Sequence, residues 1–143
     1  MPSAYADRIA TLAAAATDAR ECVDEAPAPD GRPFVDRVAD GDVRLAGTRV
    51  ADPDEAALVA ARDGLGPVVA TYVEARTADE WVWFSQREMD RLHAATRDWL
   101  AVYAGCHGVD ADPDVTVREA AEVLLDTHDI TDVAALLTGL HRR

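Results

Sequence analysis

The sequence predicts an α+β fold: an N-terminal helix, a small antiparallel sheet with a hairpin, a long central helix and a C-terminal helix pair. Three observations carry this. Helix-start signals recur at Asp52-Pro53-Asp54-Glu55, Ser85-Gln86-Arg87-Glu88 and Thr116-Val117-Arg118-Glu119, each placing a side-chain acceptor three residues ahead of a Glu. Between them lie short segments rich in Val, Thr, Tyr and Trp, the residues that fit a pleated surface. Gly and Pro punctuate the chain between these segments.

The elements follow in order. Ser3 can cap a first helix whose Ile9, Leu12, Ala16, Ala19 and Val23 recur at three and four residues, leaving Asp7, Arg8, Asp18, Arg20 and Glu21 largely off that stripe. Pro27-Ala28-Pro29-Asp30-Gly31-Arg32-Pro33 cannot continue a helix and reads as a stiff linker. After the Asp40-Gly41 turn, Val43, Leu45 and Val50 predict two short strands turning at Ala46-Gly47. Asp52 caps a helix with Pro53 in its first turn, filled from Ala56 to Arg62 and ended by Gly64. Pro67 to Arg76 and Trp81 to Ser85 are expected as strands of a hairpin joined by Thr77-Ala78-Asp79-Glu80. Val69, Tyr72, Val73 and Arg76 also fit helical spacing; the strand reading is preferred.

Ser85 opens the clearest helix. Its buried stripe is Met89, Leu92, Thr96, Trp99, Tyr103 and Cys106, with Leu100 beside it and Gly108 at its end. A polar loop with Pro113 leads to a helix from Thr116 to about Thr127. A last helix begins at Thr131 or Asp132 and carries Val133, Leu136, Leu137 and Leu140. The divisions expected are an N-terminal helix at 1–26, a linker at 27–33, an α+β core at 34–108 and a helical pair at 114–143, together forming one compact domain.

Composition bounds the surroundings. The 27 acidic residues against 14 basic ones give a net charge of −13, and every basic residue is Arg. A small domain is comfortable at a magnitude of roughly 2–8, so this excess repels itself unless salt screens it. At molar salt the Debye length falls to about 3 Å. Arg is more weakly hydrated than Lys and forks onto carboxylates. A GC-rich genome explains the missing Lys but not the acids. In these features the chain resembles small acidic proteins of salt-accumulating haloarchaea, and the resemblance implies a halophilic cytoplasm. Two cysteines, Cys22 and Cys106, are too few for a disulfide framework. No apolar run approaches the roughly 20 residues a membrane helix needs.

The candidate surface is the 67–85 hairpin. A tight turn sets Arg76 opposite Trp81 and Glu74 opposite Trp83, with Val73, Ala75, Val82 and Phe84 on the other face. Exposed aromatics beside Arg are typical contact hot spots, and indole over guanidinium is a good cation–π pair. Tryptophan is usually buried, so the stronger expectation is that Trp81 and Trp83 pack under the helix that starts at Gln86.

Metal ligation has weak candidates in His93, Cys106, His107 and His128, without Cys-x-x-Cys or His-x-x-x-His spacing. Asp110, Asp112 and Asp114 alternate like a calcium loop, but Val115 holds its glycine position and Ala121 its twelfth. No catalytic residue and no cofactor are expected. Gly64-Leu65-Gly66-Pro67 lacks the spacing of a phosphate loop, and Ser3 and Ser85 look like caps.

The last two helices could form a helix-turn-helix, but the second offers Thr131, Asp132, Thr138 and His141, a poor set of donors for DNA. The run from Gly41 to Pro53 resembles the strand-turn-strand end of S4-type RNA-binding domains, whose basic helices have no counterpart here. The preferred reading is a non-catalytic interaction or regulatory module whose partner is a protein or a second copy of the chain. Nucleic acid and membrane are not the expected partners. The alternatives are a nucleic-acid-binding regulator using the C-terminal pair and a small metal protein or enzyme.

Overall fold

The computed structural model describes residues 3–24, 34–80 and 82–140; the linker expected at 27–33 and Trp81 lie outside them. In chain order the elements are α1 (Ala6–Asp24), α2 (Phe34–Ala39), β1 (Val43–Leu45), β2 (Thr48–Val50), α3 (Pro53–Val59), a π-helical turn (Ala60–Leu65), α4 (Gly66–Thr77), α5 (Gln86–Cys106), α6 (Val117–Thr127) and α7 (Ile130–Thr138). The predicted class holds: a mostly helical α+β chain with a small two-stranded antiparallel sheet, a long central helix and a C-terminal helix pair.

Helix α5 is the axis. Its start is a complete capping box: Ser85 Oγ accepts from the Glu88 N–H at 3.1 Å and Glu88 Oε1 accepts from the Ser85 N–H at 2.7 Å. Its end is marked by Gly108 at φ +74°. The predicted stripe is buried or packed on the core, and from Trp99 to Cys106 every residue is buried. One stripe becomes an all-round face there because α1, α2, α3, the π turn and α7 all pack against this helix. Helix α1 lies along α5 with Ile9, Ala16 and Ala19 buried. Small residues let the backbones close: a Cβ on Gly105 would come to 3.3 Å from both Phe34 and Val23.

The sheet is the pair predicted to turn at Ala46-Gly47, in the register Val43 with Val50, Arg44 with Arg49 and Leu45 with Thr48. Val43, Leu45 and Val50 point into the core. Short helix α2 went unpredicted; six residues give no periodicity to read.

The stretch from Pro53 to Thr77 corrects two expectations. Asp52 does cap it, accepting from the N–H groups of Asp54 at 2.7 Å and Glu55 at 3.2 Å. Gly64 does not end it, and 67–76 is helix α4, not a strand. The backbone stays right-handed helical through Val59, Ala60, Leu65 and Gly66. The reason lies in Gly64-Leu65-Gly66-Pro67. A Pro inside an α-helix clashes with the carbonyl four residues back and donates nothing. Here the Gly66 N–H reaches the Ala61 carbonyl, a five-residue step, and this wider turn accommodates the ring instead of breaking the helix. Gly66 removes the Cβ that a proline would otherwise push out of helical geometry. Val68, Val69, Tyr72 and Ala75 then share one buried side, facing α5 and α6. Burial on a helical face overrides the β propensity of Val, Thr and Tyr. Residues 82–85 form no strand.

The C-terminal pair begins where predicted. Thr116 Oγ1 accepts from the Glu119 N–H at 3.1 Å. The last helix starts a residue earlier than expected, because Asp129 caps it by accepting from the N–H groups of Thr131 at 2.8 Å and Asp132 at 3.3 Å.

Candidate functional site

The start of α5, the start of α1 and the end of α4 meet around the loop 78–85. Glu88 ties the first two together. Both the N–H and the hydroxyl of Ser3 donate to its carboxylate, which also takes the Ser85 N–H. This carboxylate is only 3% exposed. Burial pushes its pKa up, but the hydrogen bonds from Ser3 and Ser85 outweigh that and hold it below the usual carboxylate value.

Beside this clasp lies a layer of aromatics and arginines. Phe84 meets Tyr5 edge-on at 6.2 Å and stacks on Tyr72 at 6.4 Å. The Arg76 guanidinium lies over the rings of Tyr72 at 5.1 Å and Phe84 at 5.9 Å. Arg8 lies over Tyr5 at 5.9 Å and bonds Glu74 at 2.8 Å. Next to Phe84 the chain presents Trp83, 77% exposed.

Three of the four residues proposed from sequence therefore share one region, in a different arrangement. Arg76 covers Tyr72 and Phe84; Glu74 holds Arg8, not Trp83. The cause is the helical backbone of 66–77, which sets neighbours three and four apart in place of cross-strand pairs. The expectation that Trp83 packs under α5 is overturned by its exposure; Phe84, half-buried, takes the inward position. Trp81 lies outside the described residues. Sequence reasoning missed Tyr5 and Arg8 because nothing local links them to residue 84.

The weak metal candidates are dispersed. His93 Nδ1 accepts the Val117 N–H at 3.1 Å, so this ring caps the start of α6 in its neutral form. Burial, and then Arg97, hold its pKa below the ordinary histidine value. Cys106 is fully buried, which pushes its thiol up to about 12, the opposite of what a thiolate nucleophile or ligand needs. His107 packs edge-on against Tyr103 at 4.9 Å, and His128 adopts φ +57° at the end of α6. The acidic loop turns to arginines: Asp112 is 3.7 Å from Arg20 and Asp114 is 3.0 Å from Arg97. Among the described residues no group of three or more His, Cys, Asp or Glu could hold a metal ion, and no helix is long and apolar enough to cross a membrane.

Fold and surface together define a mostly helical α+β protein with an aromatic and arginine layer beside the clasp of its two longest helices. The chain belongs to the family described as a domain of unknown function, DUF8055, whose model matches residues 3–142. No curated protein matches it, and neither does any solved structure.

Proposed function

We propose that this protein is a non-catalytic interaction module of a halophilic cytoplasm, and that the surface around Trp83 is where its protein partner or a second copy docks. The observation that carries the reading is the exposed Trp83 indole, next in the chain to Phe84, whose ring packs with Tyr5, Tyr72 and Arg76. Interface hot spots are enriched in Trp, Tyr and Arg, and a large aromatic left in water is costly for a monomer to keep. In a chain of net charge −13, Arg8 and Arg76 offset part of the acidic repulsion at this patch.

The test is light scattering and partner capture in molar KCl with Trp83→Ala. The variant is expected to stay folded, with stability within about 0.5 kcal/mol of the parent, as for exposed positions generally, and to lose assembly or capture. Unchanged assembly and capture would remove Trp83 from the reading.

A further inference from the structure

At the opposite end of α1 from Tyr5 and Arg8, a cleft of about 400 Å³ opens between α1, the β1–β2 turn and the π turn. Asp18 and Cys22 line it from α1, Arg44, Ala46 and Gly47 from the hairpin, and Asp63 from the π turn. We propose that this cleft binds a small zwitterionic solute of amino-acid size, its carboxylate held by Arg44 and its ammonium group by Asp18 and Asp63.

Several features converge on it. The volume lies at the small end of the roughly 300–1,000 Å³ typical of ligand pockets. The hairpin rim has a two-residue loop with positive φ at both Ala46 and Gly47, +49° and +79°. That geometry is usually given to Asn-Gly or Gly-Gly, and alanine adopts it at a cost. Small side chains at both positions keep the rim low. A Cβ added at Gly47 would meet nothing within 4 Å. The opposite wall is the π turn, a feature that recurs at functional sites.

The charges choose the ligand class. Arg44 and Arg49 stand directly opposite each other in the sheet register, a like-charge pairing that disfavours the hairpin. Arg49 turns its Nε to the Gly41 carbonyl at 3.0 Å, and Arg44 lines the cleft. Asp63 is braced by Arg62, which bonds its two carboxylate oxygens at 3.1 and 3.2 Å. A purely anionic ligand would face Asp18, Asp63 and the field of a chain at −13. A purely cationic one would leave Arg44 in the cleft wall without a counter-charge. A molecule carrying both charges on adjacent carbons satisfies both walls, and short charge-assisted bonds survive the salt that screens longer-range attraction.

Cys22 supplies the readout. It is half-buried in the cleft wall, whereas Cys106 is fully buried with its thiol pushed up to about 12, so iodoacetamide is expected to label Cys22 ahead of Cys106 in the native protein. Labelling is followed by mass spectrometry in molar KCl, with the free α-amino acids and trimethylglycine as probes, and acetate and methylammonium as single-charge controls. At least one zwitterion is expected to slow Cys22 labelling several-fold and saturably, while neither control does. Arg44→Ala is expected to abolish the protection. Ala15→Leu, which fills the cleft from the α1 side without touching the charges, is expected to abolish it too, with circular dichroism verifying that both variants are folded. The proposal is overturned if no zwitterion protects Cys22, if acetate or methylammonium protects equally, or if protection persists in either folded variant.

Discussion

Gly64→Ala sets two physical effects of opposite sign against each other. On an exposed helix the change stabilises, because Ala is favoured over Gly by about 0.8–1.0 kcal/mol. At this position the new Cβ would lie 2.4, 2.5 and 2.6 Å from three indole atoms of Trp99. Carbon atoms rest at about 3.5–4.0 Å, so either the ring or the helix must move by roughly 1 Å. Trp99 is 2% exposed and surrounded on all sides, so neither shift is easy. Overpacking costs about 1–3 kcal/mol, and a rigid ring met by three atoms belongs at the upper end. The net expectation is a loss of about 2 kcal/mol. For a chain of this size that lowers the melting temperature by roughly 8 °C. Denaturant unfolding followed by circular dichroism at fixed molar KCl measures it. Trp99→Leu should cost about 3 kcal/mol by itself; in that background Gly64→Ala should become neutral or stabilise by up to about 1 kcal/mol. If Gly64→Ala stabilises the parent protein instead, the close approach of π turn and indole is refuted.

Three further outcomes are expected. Glu88→Gln replaces an acceptor of three donors with a group that turns an N–H toward Ser3 or Ser85, and it should cost about 2 kcal/mol near neutral pH. Because the Glu88 pKa is lowered by folding, its contribution is present above the unfolded carboxylate value and is lost as pH falls through the folded one; parent and variant curves should converge in acid, and a pH-independent gap would contradict this. The folded pKa of His93 is likewise lowered, so its stabilising contribution is complete above about 6.5 and is lost as pH falls through the folded value; the Val117 amide should lose protection relative to its intrinsic exchange rate in that range, and unchanged protection would argue against the cap. Raising KCl from dilute to molar should raise the unfolding midpoint of a chain at −13, as repulsion among exposed carboxylates is screened; a midpoint that ignores salt would remove the halophilic reading.

Helix starts were legible because they are local chemistry. Asp52, Ser85 and Thr116 each cap the helix they were assigned, since a side-chain acceptor and the N–H groups it satisfies lie within three residues. The apolar stripes of α1 and α5 were legible for a similar reason: periodicity survives whatever packs on it. The segment 67–76 was not. Its Val, Thr and Tyr content argues for a strand, and its buried side emerges only once α5 and α6 are present to cover Val68, Val69, Tyr72 and Ala75. The Gly64 to Pro67 segment misled for a further reason. Gly and Pro usually end helices, but here one glycine makes room for Trp99, the other frees the residue before proline, and a five-residue hydrogen bond absorbs the ring.

The candidate surface shows how a residue set can be found through a wrong backbone. Glu74, Arg76 and Trp83 were chosen by assuming cross-strand pairing, yet helix α4 and the loop after it still bring them to one region. Proximity in sequence guarantees that much. What pairing cannot supply is which of two alternating aromatics faces inward. In the structure Phe84 takes that role because Tyr5, just before α1, and Tyr72, from α4, form a socket for a ring carrying no polar group, and Ser85 must stay at the helix start to close the capping box with Glu88. With Phe84 drawn in and Ser85 fixed, the residue before them is driven outward. The exposure of Trp83 is thus set by the Ser3–Glu88–Ser85 clasp. Removing the clasp should let the loop re-pack, so Glu88→Gln is expected to blue-shift the fluorescence of a Trp81→Phe, Trp99→Phe background in which Trp83 is the sole reporter. An unchanged emission maximum in that variant would show that the indole is held in water by something other than the clasp.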